Sequence, residues 1–275
     1  MLNSNQIIML GTGNAIVTRC YNTCFILKTA KTMLLVDAGG GNGILLQLEK
    51  AKIDLTDIHH LFITHAHTDH ILGAVWMVRL VIHRMKNKEY SGTFTVYSHD
   101  KALKVLDWIC RMTLPEKDIS FLEKSVFFKK VKENYILQLG DMELQCFDLL
   151  STKEKQFGFS AQLPNNLKLV CLGDEPYNEN NRHYVENADW LLCEAFCLYK
   201  DREIFKPYEK HHSTALDSGV LAGRLNVKNL LLYHTEDRNL DTRKETYTEE
   251  ASRNFKGKIG LTRYFIGTKH ISSLV

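Results

Sequence analysis

The sequence has little excess charge, no long apolar run and no linker-like segment. Lysine and arginine number 35 and aspartate and glutamate 32, so the formal net charge is only +3. That balance argues against a nucleic-acid module, because such modules are usually far more basic. No stretch reaches the ~18 uncharged residues of a membrane helix, and residues 1–10 lack the basic head and apolar run of a secretory signal. We therefore expect a soluble, cytoplasmic protein without a membrane partner.

The cysteines do not form the pattern of a disulfide framework. There are seven, an odd number, and they are scattered along a chain of 275 residues. The pairs at 20/24 and 193/197 lie in apolar runs, which favours small buried side chains over a metal or redox site. Because Pro/Ser-rich, low-complexity and repeated segments are also missing, the sequence predicts a single domain over residues 1–275.

Apolar runs of strand length alternate with amphipathic stretches through both halves of the chain. The predicted strands are residues 7–10, 23–27, 33–36, 58–64, 93–98, 142–150, 157–163, 167–172, 190–194 and 229–233. The predicted helices are residues 44–50, 71–86, 101–110 and 213–225. This is an α/β pattern, which indicates sheets that carry helices on their outer faces.

The twelve histidines are unevenly placed along this pattern. His65, His67 and His70 lie with Asp69 between a predicted strand and a predicted helix, where α/β sheets usually place their sites. Imidazole and carboxylate groups at this density suit Zn²⁺ or a similar ion. Four side chains within six residues cannot all point at one ion, so the turn favours two adjacent metals over a polar loop that is merely rich in histidine.

Two further strands end in a metal-binding residue type. Asp174 follows the apolar run Leu169–Leu172, and His234 follows the run Leu230–Leu232. A carboxylate such as Asp174 can bridge two cations, and His234 can complete the shell of one. Together with the histidine turn, these strand ends predict a binuclear centre.

The order of these motifs resembles the metallo-β-lactamase superfamily, and most closely its ribonuclease Z branch. The motifs are Gly11-Thr12-Gly13, Asp37-Ala38-Gly39, the His65–His70 turn, Gly173-Asp174, Cys193-Glu194-Ala195, His212-Ser213-Thr214-Ala215 and His234. The resemblance covers the chain from about residue 7 onward. It implies a four-layer αββα sandwich with metals in the cleft between the edges of the two sheets.

The resemblance also implies the metal ligands. His65 and His67 would bind one ion, Asp69, His70 and His234 would bind the other, and Asp174 would bridge them, with Asp37 as a partner of a ligand histidine. One ligand is missing, because the family has a further histidine near Ser151 and this sequence has none between His99 and His183. We therefore expect up to two zinc ions, or manganese or iron, with the His65/His67 site weaker and filled second.

The catalytic residues implied by the resemblance are Asp69, Glu194 and His212. Asp69 would orient a metal-activated hydroxide, and His212, held by Glu194, would give a proton to the leaving alkoxide. A helix starting at Ser213 would also favour an anionic phosphate near His212. Smaller departures from the family are Phe196 and Glu175, each at a position where the family usually has threonine.

The substrate expected from the sequence is small. Ribonuclease Z holds its transfer-RNA precursor with a long arm, and the corresponding interval here, residues 159–172, contains only a tight connection at Pro164-Asn165-Asn166. With the modest charge, this indicates a phosphodiesterase of a small or short phosphodiester, such as a cyclic nucleotide or a modified lipid head group, and makes transfer RNA doubtful. The alternatives are a hydrolase of esters, lactones, thioesters or β-lactams, and a non-catalytic metal-binding regulator. The sequence itself does not indicate an oligomeric state, and the resemblance leaves a homodimer open because dimers are common in the branch.

Overall fold

The computed structural model describes residues 5–261 and 267–270. The strands are β1 (Gln6–Gly11), β2 (Cys24–Lys28), β3 (Met33–Val36), β4 (His60–Phe62), β5 (Phe94–Ser98), β6 (Val126–Lys130), β7 (Ile136–Leu139), β8 (Met142–Asp148), β9 (Phe157–Leu163), β10 (Leu167–Cys171), β11 (Trp190–Glu194), β12 (Asn229–Tyr233), β13 (Lys258–Gly260) and β14 (Gly267–His270). The α-helices are α1 (Gly43–Ala51), α2 (Thr68–Lys86), α3 (Asp100–Thr113), α4 (Glu116–Ile119), α5 (Arg182–Val185), α6 (Arg202–Phe205), α7 (Ala215–Arg224) and α8 (Arg243–Ser252).

The strands form two seven-stranded mixed sheets. The first has the order β14-β1-β2-β3-β4-β5-β6, and the second has the order β13-β12-β11-β10-β9-β8-β7. In the first sheet the strands from β3 to β6 are parallel, and in the second the strands from β10 to β13 are parallel. Parallel strands bring their carboxyl ends to one edge of each sheet, which is where loops can place functional side chains.

The two sheets pack face to face and carry helices on their outer faces. Between the sheets, Phe62 meets Phe159 edge to face at 5.3 Å, and Phe25 lies 6.5 Å from Tyr233. Helices α1 to α3 cover a second apolar core on the first sheet, and α5, α7 and α8 cover a third core on the second sheet. The predicted four-layer αββα sandwich is therefore confirmed.

The predicted elements with clear apolar runs agree closely with the structure. The strands β3, β9, β11 and β12 have the predicted bounds. Strands β6, β7 and β13 and helix α8 are not predicted, because β6 buries only its first residue, β7 alternates exposed with buried residues over few positions, and α8 is strongly polar. These elements depend on tertiary neighbours more than on their own pattern.

All seven cysteines are free, which confirms the expectation that no disulfide framework exists, and only Cys20 is partly exposed. Over the described residues, no helix is both long enough and apolar enough to cross a membrane. The predicted single domain, residues 1–275, includes positions outside the described residues and stays a prediction.

Candidate metal centre

The first sheet contributes its side chains from the ends of β3 and β4. His65 follows β4, His67 is the residue before α2, and Asp69 and His70 lie in the first turn of that helix. Asp37 follows β3 and ties these parts together. Its carboxylate accepts hydrogen bonds from the amide and the hydroxyl of Thr64, each 2.8 Å long, and lies 2.8 Å from Nδ1 of His70. The structure therefore places Asp37 against a predicted ligand histidine.

The second sheet contributes Asp174, Glu194 and His234 from three neighbouring strands. Asp174 follows β10 after Gly173, Glu194 is the last residue of β11, and His234 follows β12. Asp37 and His234 both have the left-handed backbone conformation, with φ of 53° and 56°. Residues other than glycine adopt it at a cost, and such positions cluster at functional sites.

One ligand group joins the two sheets. A nitrogen or carboxylate oxygen from each of Asp69, His70 and His234 lies within 4.8 Å of the others. Nε2 of His70 is 3.3 Å and Nε2 of His234 is 3.5 Å from Oδ2 of Asp69. Oδ2 of Asp174 lies 3.5 Å from Nε2 of His234 and 3.8 Å from Nε2 of His70. Two ligands of a tetrahedral zinc ion are about 3.4 Å apart, so these separations fit a metal.

A second ligand group lies beside the first and has fewer members. It consists of His65, His67 and Asp174, again with atoms within 4.8 Å of one another. Nε2 of His65 is 2.9 Å from Nδ1 of His67 and 3.7 Å from Oδ1 of Asp174. Asp174 thus faces both groups, one carboxylate oxygen to each, as a bridging ligand would.

Two polar atoms at the centre of this cluster have no hydrogen-bond partner among the described residues. Nε2 of His70 and Oδ1 of Asp174 are both buried and unpartnered. Buried polar atoms are nearly always satisfied in folded proteins, so their orientation toward the ligand groups indicates that a cation completes them. Because Nδ1 of His70 bonds to the Asp37 carboxylate, its Nε2 is the nitrogen left to bind a metal. The residues present therefore fit a metal centre.

The electrostatics of the cluster favour metal binding at Asp174 and His65, whereas His70 and His234 would each have to release a proton first, because nearby carboxylates raise their pKa against the effect of burial. Burial alone would raise the pKa of Asp174, but neighbouring positive charge holds it well below its usual range and keeps it a carboxylate. Burial lowers the pKa of His65 well below its usual value, which keeps this imidazole neutral. Ionised carboxylate and neutral imidazole are the forms that bind cations.

The predicted proton donor lies at the edge of the cluster. Nδ1 of His212 is 2.5 Å from Oε2 of Glu194, and Oε1 of Glu194 accepts the amide of Ser213 at 2.7 Å. Phe196 stacks on the His212 ring with the centroids 4.6 Å apart and the planes 9° from parallel. Burial raises the pKa of Glu194 to about 8 and lowers that of His212 to about 4. Between about pH 4 and about pH 8 the pair therefore holds one titratable proton.

The structure adds one grouping that the sequence does not predict. An atom of His212 also lies within 4.8 Å of an atom of Asp174 and an atom of His234. The ring centroids of His212 and His234 are 5.2 Å apart. His212 is therefore close enough to the ligand groups for its ring to reach a reacting group bound there.

The expectation of a phosphate-binding helix end at Ser213 is wrong. Helix α7 begins two residues later, at Ala215, with Thr214 as its N-cap. Its first three amides are already bonded, to the carbonyl of Cys197, to the carboxylate of Glu250 and to the hydroxyl of Thr214. A helix N-terminus attracts anions only through free amides, so this one has none to offer in its first turn.

Sequence reasoning did not find three residues of the site. Thr64 donates its hydroxyl to Asp37 and lies 2.9 Å from Nδ1 of His65. Lys153 and Glu175 form an ion pair with Nζ and Oε2 3.2 Å apart. The sequence offers one signal for Lys153 and Glu175, which is that both positions fall where it departs from the family pattern.

The fold and the site define a metallo-β-lactamase superfamily protein related to the ribonuclease Z hydrolases. The chain belongs to the family described as "Anti-Pycsar protein Apyc1", whose model matches residues 5–254. A ribonuclease Z of Phocaeicola vulgatus is 31% identical, over 83% of this chain and 86% of its own length.

Solved structures with low sequence identity share the fold. The metallo-β-lactamase fold protein YhfI of Bacillus subtilis has a TM-score of 0.76 and 16% identity, covering 97% of this chain and all of that one. The short form of human tRNase Z has a TM-score of 0.73 and 20% identity, with coverage of 96% and 98%. These likenesses concern the fold.

Proposed function

We propose that the protein is a metal-dependent phosphodiesterase that hydrolyses a small phosphodiester. The observation that carries this proposal is the Glu194–His212 pair, 2.5 Å apart, beside the two ligand groups. The resemblance to the ribonuclease Z branch implies such a glutamate–histidine pair as the source of the leaving-group proton, and this counts against ester, lactone and β-lactam hydrolysis. A non-catalytic regulator would have no use for the pair.

The proposed ligands are the residues of the two groups, with Asp174 shared between them. Bound metal ions supply positive charge for the phosphoryl oxygens and lower the pKa of a water molecule from 15.7 toward about 7. Because one group has four candidate side chains and the other has three, we propose that the Asp69/His70/Asp174/His234 site fills first. Zinc is the ion we propose, and manganese and iron are the alternatives.

The chain's own residues would handle the protons. Asp69 orients the attacking water from its position in the first turn of α2. Nδ1 of His212 stays bonded to Glu194, which leaves Nε2 to donate a proton to the departing oxygen. Phe196, stacked on the ring, fixes the plane of the imidazole and keeps bulk water from one of its faces.

The short connection between two strands of the second sheet supports a small substrate. Strands β9 and β10 are joined by the short turn Pro164–Asn166, so no arm extends between them. We propose that transfer RNA is not the main substrate, and that the protein works in the cytoplasm, as a homodimer.

Hydrolysis assays with purified, metal-loaded protein test this proposal. The substrates are 3′,5′-cyclic nucleotides, bis(p-nitrophenyl) phosphate, a transfer-RNA precursor, an aryl acetate and a β-lactam. We expect a phosphodiester to be hydrolysed, activity to disappear on chelation and return with Zn²⁺ or Mn²⁺, and kcat/KM for the precursor to be at least about ten-fold lower.

Two variants control this experiment. His65→Ala removes a proposed ligand and should be inactive, whereas His183→Ala changes an exposed histidine and should behave like the wild type. Efficient 3′ processing of the precursor, or turnover of carboxylic esters alone, would overturn the proposal.

A further inference from the structure

Two positions at which the sequence departs from the ribonuclease Z pattern meet in the structure. Lys153 lies in the loop between β8 and β9, where a ligand histidine is expected, and Glu175 directly follows the bridging residue Asp174. Nζ of Lys153 is 3.2 Å from Oε2 of Glu175, and the side chains are only 18% and 8% exposed. The two departures from the family pattern therefore form one largely buried ion pair.

The ammonium of Lys153 connects three loops around the cleft. Besides Glu175 on the β10 loop, it donates to the carbonyl of His211 at 3.1 Å and to the carbonyl of Asp174 at 3.4 Å. These bonds use its three protons. Lys153 thus holds the strand end that carries Asp174 and the loop that carries His212 against its own loop.

Further hydrogen bonds hold Lys153 and Glu175 in place. The hydroxyl of Ser151 accepts the amide of Lys153 at 3.2 Å, which closes the turn before it. Nε2 of the fully buried Gln156 lies 3.4 Å from Oε2 of Glu175 and donates to it. A lysine held in this way keeps its charge in one place, unlike a mobile surface lysine.

The ion pair stands beside the candidate site, since one carbonyl that Lys153 bonds to belongs to Asp174. The ammonium and the carboxylate are 3.2 Å apart, so the pair adds no net charge at this side of the cleft. The loop offers no imidazole in place of the expected ligand, and the group of His65, His67 and Asp174 therefore keeps only three side chains.

We propose that the Lys153–Glu175 pair replaces the missing histidine, weakening a second metal at the His65/His67 site and positioning the Asp174 strand end and the His212 loop. The positioning part rests on the proposed phosphodiesterase function. The metal part does not, because it is measured as binding.

A neighbouring ion pair provides the matched control. Lys155 lies two residues along the same loop, and its Nζ is 3.5 Å from Oδ2 of Asp148, with the side chains 47% and 21% exposed. Lys155→Met removes the same charge from the same loop without touching the three segments that Lys153 connects.

Equilibrium dialysis against Zn²⁺ alone, followed by metal analysis, tests the metal part. The wild type should hold one ion tightly. Lys153→His/Glu175→Thr, which removes the ion pair and supplies an imidazole on this loop, should bind a second ion at least about ten-fold more tightly than the wild type does. Lys153→Met/Glu175→Thr, which removes the ion pair without adding a ligand, should show a smaller gain, and Lys153→Arg and Lys155→Met should resemble the wild type.

Steady-state kinetics with a 3′,5′-cyclic nucleotide, whose leaving group is an alkoxide, test the positioning part. Lys153→Met should lower kcat by about ten-fold and leave KM within about two-fold, and Lys153→Arg should recover most of the loss. A general loss of packing would not be rescued by arginine. Thermal unfolding of each variant shows whether it is folded.

The outcomes separate the two proposals. If second-ion affinity is the same in the wild type and in both double variants, the role of Lys153 at the metal site is wrong even if the protein is a phosphodiesterase. If the affinities change as expected but no phosphodiester is hydrolysed, the proposed function fails and the metal part stands. A wild-type protein that binds no metal overturns both.

Discussion

At the residue scale, the pair of Glu194 and His212 decides what chemistry the cleft can perform. A buried carboxyl and a buried imidazole 2.5 Å apart share one proton, because burial disfavours the charged form of each. Nε2 of His212 is then the place from which that proton can leave. The amide of Ser213 holds the Glu194 carboxyl, and the ring of Phe196 holds the His212 imidazole. The proton between them therefore has a fixed orientation.

His212→Ala should lower kcat for an alkyl phosphodiester by about 10²- to 10⁴-fold, since the leaving alkoxide would have no acid. For bis(p-nitrophenyl) phosphate, whose leaving group is stable as an anion, the loss should be far smaller. The comparison of the two substrates is the measurement. An equal loss for both would mean that His212 acts on something other than the leaving group.

The pH dependence follows from the same pair. Because the acid must be protonated, kcat/KM for an alkyl phosphodiester should fall as the pH rises through about 8, the value to which burial raises the pKa of Glu194. Below that pH the pair holds this proton, and it gains a second one only below about 4, the value to which burial lowers the pKa of His212. A pH–rate profile from 5 to 10 checks this, and Glu194→Gln should remove the alkaline fall.

At the element scale, the site depends on how helix α2 lies against the end of β3. The amide of Gly73 donates to the carbonyl of Gly39 at 2.8 Å, and the amide of Ala38 donates to the carbonyl of His70 at 3.0 Å. The backbones approach so closely that a Cβ on Gly73 would stand 1.8 Å from the carbonyl oxygen of Ala38. This contact places the first turn of α2, with two candidate ligands, over Asp37.

Gly73→Ala should therefore push α2 away from β3. We expect a loss of about 1–3 kcal/mol in the free energy of unfolding, together with weaker zinc binding, because Asp69 and His70 move with the helix. Denaturant unfolding and zinc titration measure the two effects. Gly41→Ala is the control, since a Cβ there meets nothing within 4 Å and should leave both quantities unchanged.

At the scale of the whole molecule, the candidate centre links the two halves of the sandwich. Asp69 and His70 come from the first sheet's side, and Asp174 and His234 come from the second, with inter-sheet separations of 3.5 to 3.8 Å. An ion bound to all four side chains would bind the folded state and not the unfolded chain, which lacks this arrangement.

Metal removal should accordingly lower thermal stability. Zn²⁺ at 100 times its Kd stabilises the folded state by about 2.7 kcal/mol, which corresponds to a rise of about 5–10 °C in Tm for a protein of this size. Thermal melts of chelated and reloaded protein measure this shift. Asp174→Asn should reduce it sharply, whereas an equal rise in the wild type and in this variant would place the bound ion elsewhere.

Much of the fold and most of the candidate site follow from the sequence. The buried strands β11 and β12 have unbroken apolar runs, because both of their faces are covered. Asp174 and His234 were predicted by their place after such strands, and the turn from His65 to His70 by its density of ligands. These signals are local, so the sequence alone carries them.

Only the tertiary structure decided what the remaining residues do. Lys153 and Glu175 are 22 positions apart, and although both fall where the sequence departs from the family, their pairing depends on the packing of the β8–β9 loop against the end of β10. The start of α7 was misplaced because Glu250 and Cys197, both distant in sequence, bond its first amides. Local pattern determines which strands and ligands exist, and contacts between distant segments determine which charges and amides face the cleft.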